Sequence, residues 1–194
     1  MAKVKGPLFS ITGSGKIAKT LVYFSWKGIN VVRKYVIPAN PKTAEQQEQR
    51  GFLKSAITAW HVDGYTAADV AAWNMLALAY KIAASGFNMF TRFYVNAKVA
   101  TKTWVKLTNC LISSITDAGA TVVISVDSDQ TGILYIGTSK TAMYTQFSGV
   151  FDIDKYTFTI TGLAAETKYY FYIKNNAVGE AARTGIYNFK TIAA

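Results

Sequence analysis

Leu163-Ala164-Ala165-Glu166-Thr167-Lys168-Tyr169 runs on through Phe171 and Ile173 to Asn175, Asn176 and Gly179, and this stretch decides the fold. Short polar turn chemistry opens onto Tyr169, Phe171 and Ile173 at every second position, the period of a strand that buries one face. Similar runs lie at 111–115, 121–126, 133–137, 156–160 and 186–191, separated by Gly, Asp, Asn and Ser. Short strands at this spacing predict a β-sandwich over residues 104–194.

Upstream the pattern changes twice. Residues 16–26 and 29–37 read as two strands around Lys27-Gly28, a hairpin signal, with 8–11 a short strand before them. Leu21, Tyr23 and Ser25 alternate with Val22, Phe24 and Trp26, so both faces of this ribbon are partly apolar. Pro38 and Pro41 end the ribbon, because proline cannot continue a ladder. Thr43 with Gln46 forms a capping-box pair, and Phe52, Leu53, Ala56, Ile57 and Trp60 then recur at helical spacing. Asp63-Gly64 stops that helix. Thr66 caps a second, with Asp69 in its first turn and Val70, Trp73, Ala77 and Tyr80 along one stripe. After Ser85-Gly86, a third stripe runs through Phe87, Phe90, Tyr94 and Ala97. The expected architecture is α+β in two domains: a β-ribbon with a three-helix module over residues 1–100, and a sandwich over 104–194.

The stretch from Leu163 to Tyr169 resembles the fibronectin type III signature, in which a leucine, a threonine and a tyrosine keep this spacing at the corner entering the sixth strand. Tyr169 is then the tyrosine-corner residue, its hydroxyl tied to upstream backbone. Ile186-Tyr187-Asn188-Phe189-Lys190-Thr191 resembles that family's last strand. Where the family places Pro-Gly, this chain has Ala165-Glu166, and the family's early core tryptophan has no counterpart. The resemblance implies an immunoglobulin-like sandwich used as an adhesive or spacer part.

Residues 6–97 resemble a second family, small uncharacterised proteins of phages and prophages. The shared order is Trp26-Lys27-Gly28, Val32-Arg33, Asn40-Pro41-Lys42-Thr43, Gln46, Arg50, Trp60, Thr66, Trp73 and Ser85-Gly86-Phe87-Asn88. Genes of that family often neighbour virion structural genes, and the resemblance carries over no established activity.

Composition narrows the function. The 194 residues are 51% hydrophobic and 14% aromatic, enough apolar surface to offset chain entropy. One Cys and one His leave no intramolecular disulfide and no His/Cys metal cage. His61 and Cys110 lie far apart, and no nucleophile–base set accompanies either, so no catalytic residue is expected. Gly13-Ser14-Gly15-Lys16 lacks the first glycine and the Ser/Thr of a phosphate loop and reads as a turn. Asp127-Ser128-Asp129 and Asp152-Ile153-Asp154 read as turns, with no metal and no cofactor expected. The opening residues contain no signal-peptide core and no apolar run spans a bilayer, so cytoplasmic synthesis and no membrane insertion are expected.

The formal charge of +10 is unevenly placed: residues 1–42 carry Lys3, Lys5, Lys16, Lys19, Lys27, Arg33, Lys34 and Lys42 and no acid. Within this basic head, Lys16, Lys19, Tyr23, Trp26, Lys27, Arg33, Lys34 and Tyr35 form the candidate contact set. Tyr, Trp and Arg dominate interface hot spots, whereas lysines with aromatics also suit phosphates and bases. Two-sided apolar alternation favours an interface. Thr43, Trp60, Trp73 and Tyr169 are the structural markers. The expected function is a non-enzymatic subunit of a virion or similar repetitive assembly, with the ribbon making subunit contacts and the sandwich displayed outward. Its partners are further copies of itself in a ring or helix, and other virion proteins. The mature location is a virion or extracellular assembly. The alternative is an architectural nucleic-acid-binding protein.

Overall fold

The computed structural model describes residues 2–3, 14–39, 42–128, 132–175 and 177–194. The strand expected at 8–11 lies outside them, as do Gly13, Asn40, Pro41, Asp129 and Asn176. The chain forms two compact units, Met1–Thr43 and Ala44–Ala194. The first holds β1 (Ala2–Lys3), β2 (Gly15–Ile17), β3 (Leu21–Trp26) and β4 (Ile29–Lys34), an antiparallel sheet ordered β1-β4-β3-β2.

Two tight turns shape this sheet. Lys27 and Gly28 both take positive φ, 50° and 76°, the geometry of a two-residue turn matching strand twist. The second turn corrects the sequence reading. Residues 16–26 are not one strand, because Ala18 and Lys19 adopt φ of 45° and 54°. The Thr20 amide and hydroxyl close this turn on the Ile17 carbonyl, at 2.8 and 2.9 Å. β4 likewise ends at Lys34 rather than continuing to residue 37.

The second unit begins with α1 (Ala44–Val62), α2 (Ala67–Ala79) and α3 (Gly86–Val99). It continues with β5 (Thr103–Trp104), β6 (Leu107–Ser113), β7 (Gly119–Val126), β8 (Gly132–Gly137) and β9 (Thr145–Ser148). β10 (Val150–Asp152), β11 (Lys155–Thr161), β12 (Lys168–Asn175), β13 (Glu180–Arg183) and β14 (Tyr187–Lys190) complete it. One sheet runs β10-β11-β7-β6; the other runs β5-β13-β12-β8-β9, with β14 also on β12. Successive strands cross between the sheets after β5, β7, β9 and β11, and the last three crossings make the Greek-key path of an immunoglobulin-like sandwich. Val122, Ile124, Leu134, Ile136, Phe158 and Phe171 fill the space between the sheets.

The expected boundary near residue 100 does not coincide with the division between compact units. The helices share a unit with the sandwich, not with the ribbon, because their apolar stripes pack on its strands. Trp73, Leu76, Met89 and Phe90 form a second core with Ile186, flanked by Trp104 and Tyr170 of the sheet. Trp73 and Phe90 meet edge to face, with centroids 5.5 Å apart. At Gly185 a Cβ would run into the backbone of Ala72 and Trp73, so only glycine admits this approach of helix and strand. The α1 stripe is thinner than its spacing suggests: Ala56 is buried, whereas Leu53 and Ile57 remain exposed.

Asp69 joins the helices to the sandwich. It completes the capping box of α2 with Thr66, its Oδ2 accepting the Thr66 amide at 2.8 Å. A register shift in β6 between Thr108 and Leu111 turns two amides out of the ladder, with Asn109 at φ 55°. Asn109 N–H donates to Asp69 Oδ2 at 2.8 Å and Cys110 N–H to Oδ1 at 3.3 Å. Tyr187 of β14 donates its hydroxyl to Oδ1 at 2.6 Å. The carboxylate is fully buried, and these donors replace its hydration. Burial first, then Cys110 and Asp69, raise the Tyr187 phenol well above its ordinary range, so it stays a donor.

Asp69→Asn replaces two acceptor oxygens with one and sets an amide donor against backbone N–H groups. It should cost about 3 kcal/mol in urea unfolding, against about 1–2 kcal/mol for Tyr187→Phe. Burial, followed by the Asp69 charge, raises the Cys110 thiol far above its ordinary range. Iodoacetamide at pH 8 should therefore label the unfolded chain roughly a hundredfold faster than the native one.

Candidate functional site

In the ribbon unit, strand register sorts the sequence-derived set onto two faces and two turns. Phe24 pairs with Val31, Val22 with Arg33 and Trp26 with Ile29, and Lys16 faces Val22. Lys16, Phe24, Trp26, Ile29 and Arg33 therefore share one face. The Arg33 guanidinium lies 5.4 Å from the Phe24 ring centroid, and Lys16 Nζ 4.9 Å from that of Tyr35. Tyr23 pairs with Val32 and Leu21 with Lys34, which puts Tyr23 and Lys34 on the opposite face. Lys19 and Lys27 sit in the turns at the two ends of β3. The set is thus not one patch: its aromatic–cation half is Lys16, Trp26, Arg33 and Tyr35.

Apolar side chains stand in solvent on both faces. Trp26 is 56% exposed and Ile29 43%, with Leu21 and Ile17 exposed on the other side. Residues 1–43 contain no Asp or Glu, so the unit supplies no carboxylate to offset Lys16, Lys19, Lys27, Arg33 and Lys34. Thr43 directly precedes α1.

In the second unit the three remaining markers are structural. Trp60 stacks on Tyr65 with centroids 5.2 Å apart, and Trp73 is buried. The Tyr169 hydroxyl accepts the Ala164 amide at 2.9 Å and closes the corner before β12. Glu166 holds φ 50° at that corner, in the place where the resembled family has glycine. His61 lies in the last turn of α1, and Cys110 is buried. Among the described residues no group of three His, Cys, Asp or Glu could hold a metal, and no helix is long and apolar enough to cross a membrane.

Sequence reasoning missed a stack on the outer face of the β13-β12-β8 sheet. The Arg183 guanidinium lies over the rings of Phe93 and Tyr172, 4.9 and 4.5 Å from their centroids. Tyr172 stacks in turn on Tyr135, 4.9 Å away and 7° from parallel. Burial raises the Tyr172 phenol, and Arg183 opposes that shift. Beside the stack, a cleft of about 500 Å³ opens between the C-terminal end of α2, the β8–β9 connection and this sheet face. The alternation Lys168, Tyr170, Tyr172, Lys174 was the available signal, since those residues must face away from Phe171 and Ile173.

Two sheets joined by Greek-key crossings and closed by a tyrosine corner define an immunoglobulin-like sandwich of fibronectin type III kind, here backed by three helices. No protein-family model and no curated protein matches the chain. Among solved structures, the fibronectin type III domain of human fibronectin type III domain containing protein 3 is similar, at 15% identity and TM-score 0.35. That match covers 48% of this chain and 88% of the other. The FN5 domain of Drosophila Lar is similar at 15% identity and TM-score 0.33, covering 45% and 96%. The sensor domain of the anti-sigma factor RsgI4 of Pseudobacteroides cellulosolvens is similar at 19% identity and TM-score 0.33, covering 46% and 89%. These three matches each span under half of this chain, and none bears on what the chain does.

Proposed function

We propose that this chain is a non-enzymatic structural subunit of a virion or similar repetitive assembly. The ribbon unit makes the subunit contacts, and the helix-backed sandwich is the displayed body. The observation that carries this reading is the exposure of Trp26 and Ile29 beside Leu21 and Ile17, on opposite faces of one small sheet. An aromatic and aliphatic surface of this kind gains free energy when a neighbour covers it, and Tyr, Trp and Arg are the residues that dominate such contacts. Two different faces on each copy favour head-to-tail contacts, which close into rings or extend into filaments. The likeness of residues 6–97 to phage and prophage proteins points the same way.

Light scattering after size exclusion in about 1 M salt should show large oligomers, because apolar contacts survive screening. Trp26→Asp with Ile29→Asp should reduce them to monomers. A wild-type chain that stays monomeric at high concentration overturns the reading.

One observation favours a second reading. Lys16 and Arg33 each lie over an aromatic ring on the face that exposes Trp26, a surface suited to phosphates and stacked bases. Titration with duplex and single-stranded DNA at two salt concentrations tests it. A nucleic-acid role requires affinity that falls steeply with salt and weakens in Lys16→Gln and Arg33→Gln. Salt-insensitive or absent binding removes it.

A further inference from the structure

We propose that the cleft beside Arg183 binds the carboxylate of an acidic sugar unit, independently of whether the ribbon assembles. The cleft holds about 500 Å³, within the range of sites for small ligands. Its key feature is a cation that the protein positions without pairing. Arg183 lies over the rings of both Phe93 and Tyr172, and these contacts use none of its N–H donors. Its Nε is buried and has no hydrogen-bond partner. No ion pair within the described residues reaches its guanidinium, and no Asp or Glu lines the cleft. A half-buried guanidinium with unused donors is costly unless an anion completes it, and its planar fork matches a carboxylate with two parallel bonds.

The rest of the lining specifies the ligand further. Lys140, on the β8–β9 connection, brings a second cation to the same cleft. Tyr80, Thr141 and Gln146 add hydroxyl and amide groups that both donate and accept, as the hydroxyls of a sugar require. Tyr144, 82% exposed at the rim, offers a ring against which a sugar face can pack. The helix end that reaches the cleft is the C-terminal end of α2, where the dipole is negative. That end opposes any anion, and opposes a multiply charged phosphate more than a singly charged carboxylate. Two cations among hydroxyls, with no acid present, therefore select a uronate-like unit over a neutral sugar or a nucleotide.

The test is isothermal titration of the full chain with trigalacturonate, alongside maltotriose, inorganic phosphate and AMP. The expected result is saturable binding of trigalacturonate alone. That affinity should fall roughly tenfold or more in Arg183→Met and in Lys140→Gln, with wild-type thermal unfolding retained. Should Arg183→Met not fold, Lys140→Gln on the connecting loop decides the matter. No trigalacturonate binding at millimolar concentration, equal binding of maltotriose, tighter binding of phosphate or AMP, or affinity unchanged in Lys140→Gln overturns the proposal. None of these outcomes depends on oligomer size, which is read separately from the scattering experiment.

Discussion

A buried carboxylate joins the helices to the sandwich, and the arrangement of the larger unit depends on it. Asp69 gathers donors from its own helix start, from a bulge in β6 and from the phenol of β14. An ionised group in an apolar interior is tolerable only when every lone pair finds a donor, so the three elements must be in register together. Gly185 imposes the steric half of the same requirement by letting the last strand approach the α2 backbone, where the Ile186 amide donates to the Ala72 carbonyl at 2.9 Å. Electrostatics and close packing thus select one seating of α2 on the sandwich.

Features that depend on short-range chemistry were legible in the sequence. The tyrosine corner closes between Tyr169 and Ala164, five residues apart, and Thr66 and Ser85 cap their helices through bonds three residues long. The Lys27-Gly28 hairpin is local in the same sense. Features that join distant segments were not legible. Asp69 could be read as a first-turn acid, but its bonds to Asn109 and Tyr187 cross 40 and 118 residues. Arg183 finds Phe93 across the whole span from α3 to β13, and nothing in either local pattern marks the other. The missed break in the ribbon has a different cause. Ala18 and Lys19 take a left-handed conformation that their side chains do not favour, so no turn residue announced it.

The two units handle charge in opposite ways. The ribbon unit has cations and no acids, and it offsets them with aromatic rings at Lys16 and Arg33. In the larger unit, which carries all eleven acids, carboxylates are taken up in hydrogen bonds: Asp69 within the core, Asp127 on the Lys106 amide, and Glu180 on Ser128 and Asn175. Cations of this unit also meet rings, Lys98 at Tyr94 and Lys140 and Lys168 at Tyr170, and Arg183 is distinguished by meeting two, Phe93 and Tyr172, while its buried Nε has no partner.

The sharing of one interior by helices and sandwich also constrains how such a protein can be recombined. A cut between Val99 and Thr103 would strand the amides of Asn109 and Cys110 and bare Ile186, so the β-portion is not a portable bead. Gene exchange that swaps this part must carry residues 44–194 as a single cassette. That cassette coincides with the second compact unit, which begins at Ala44, directly after Thr43.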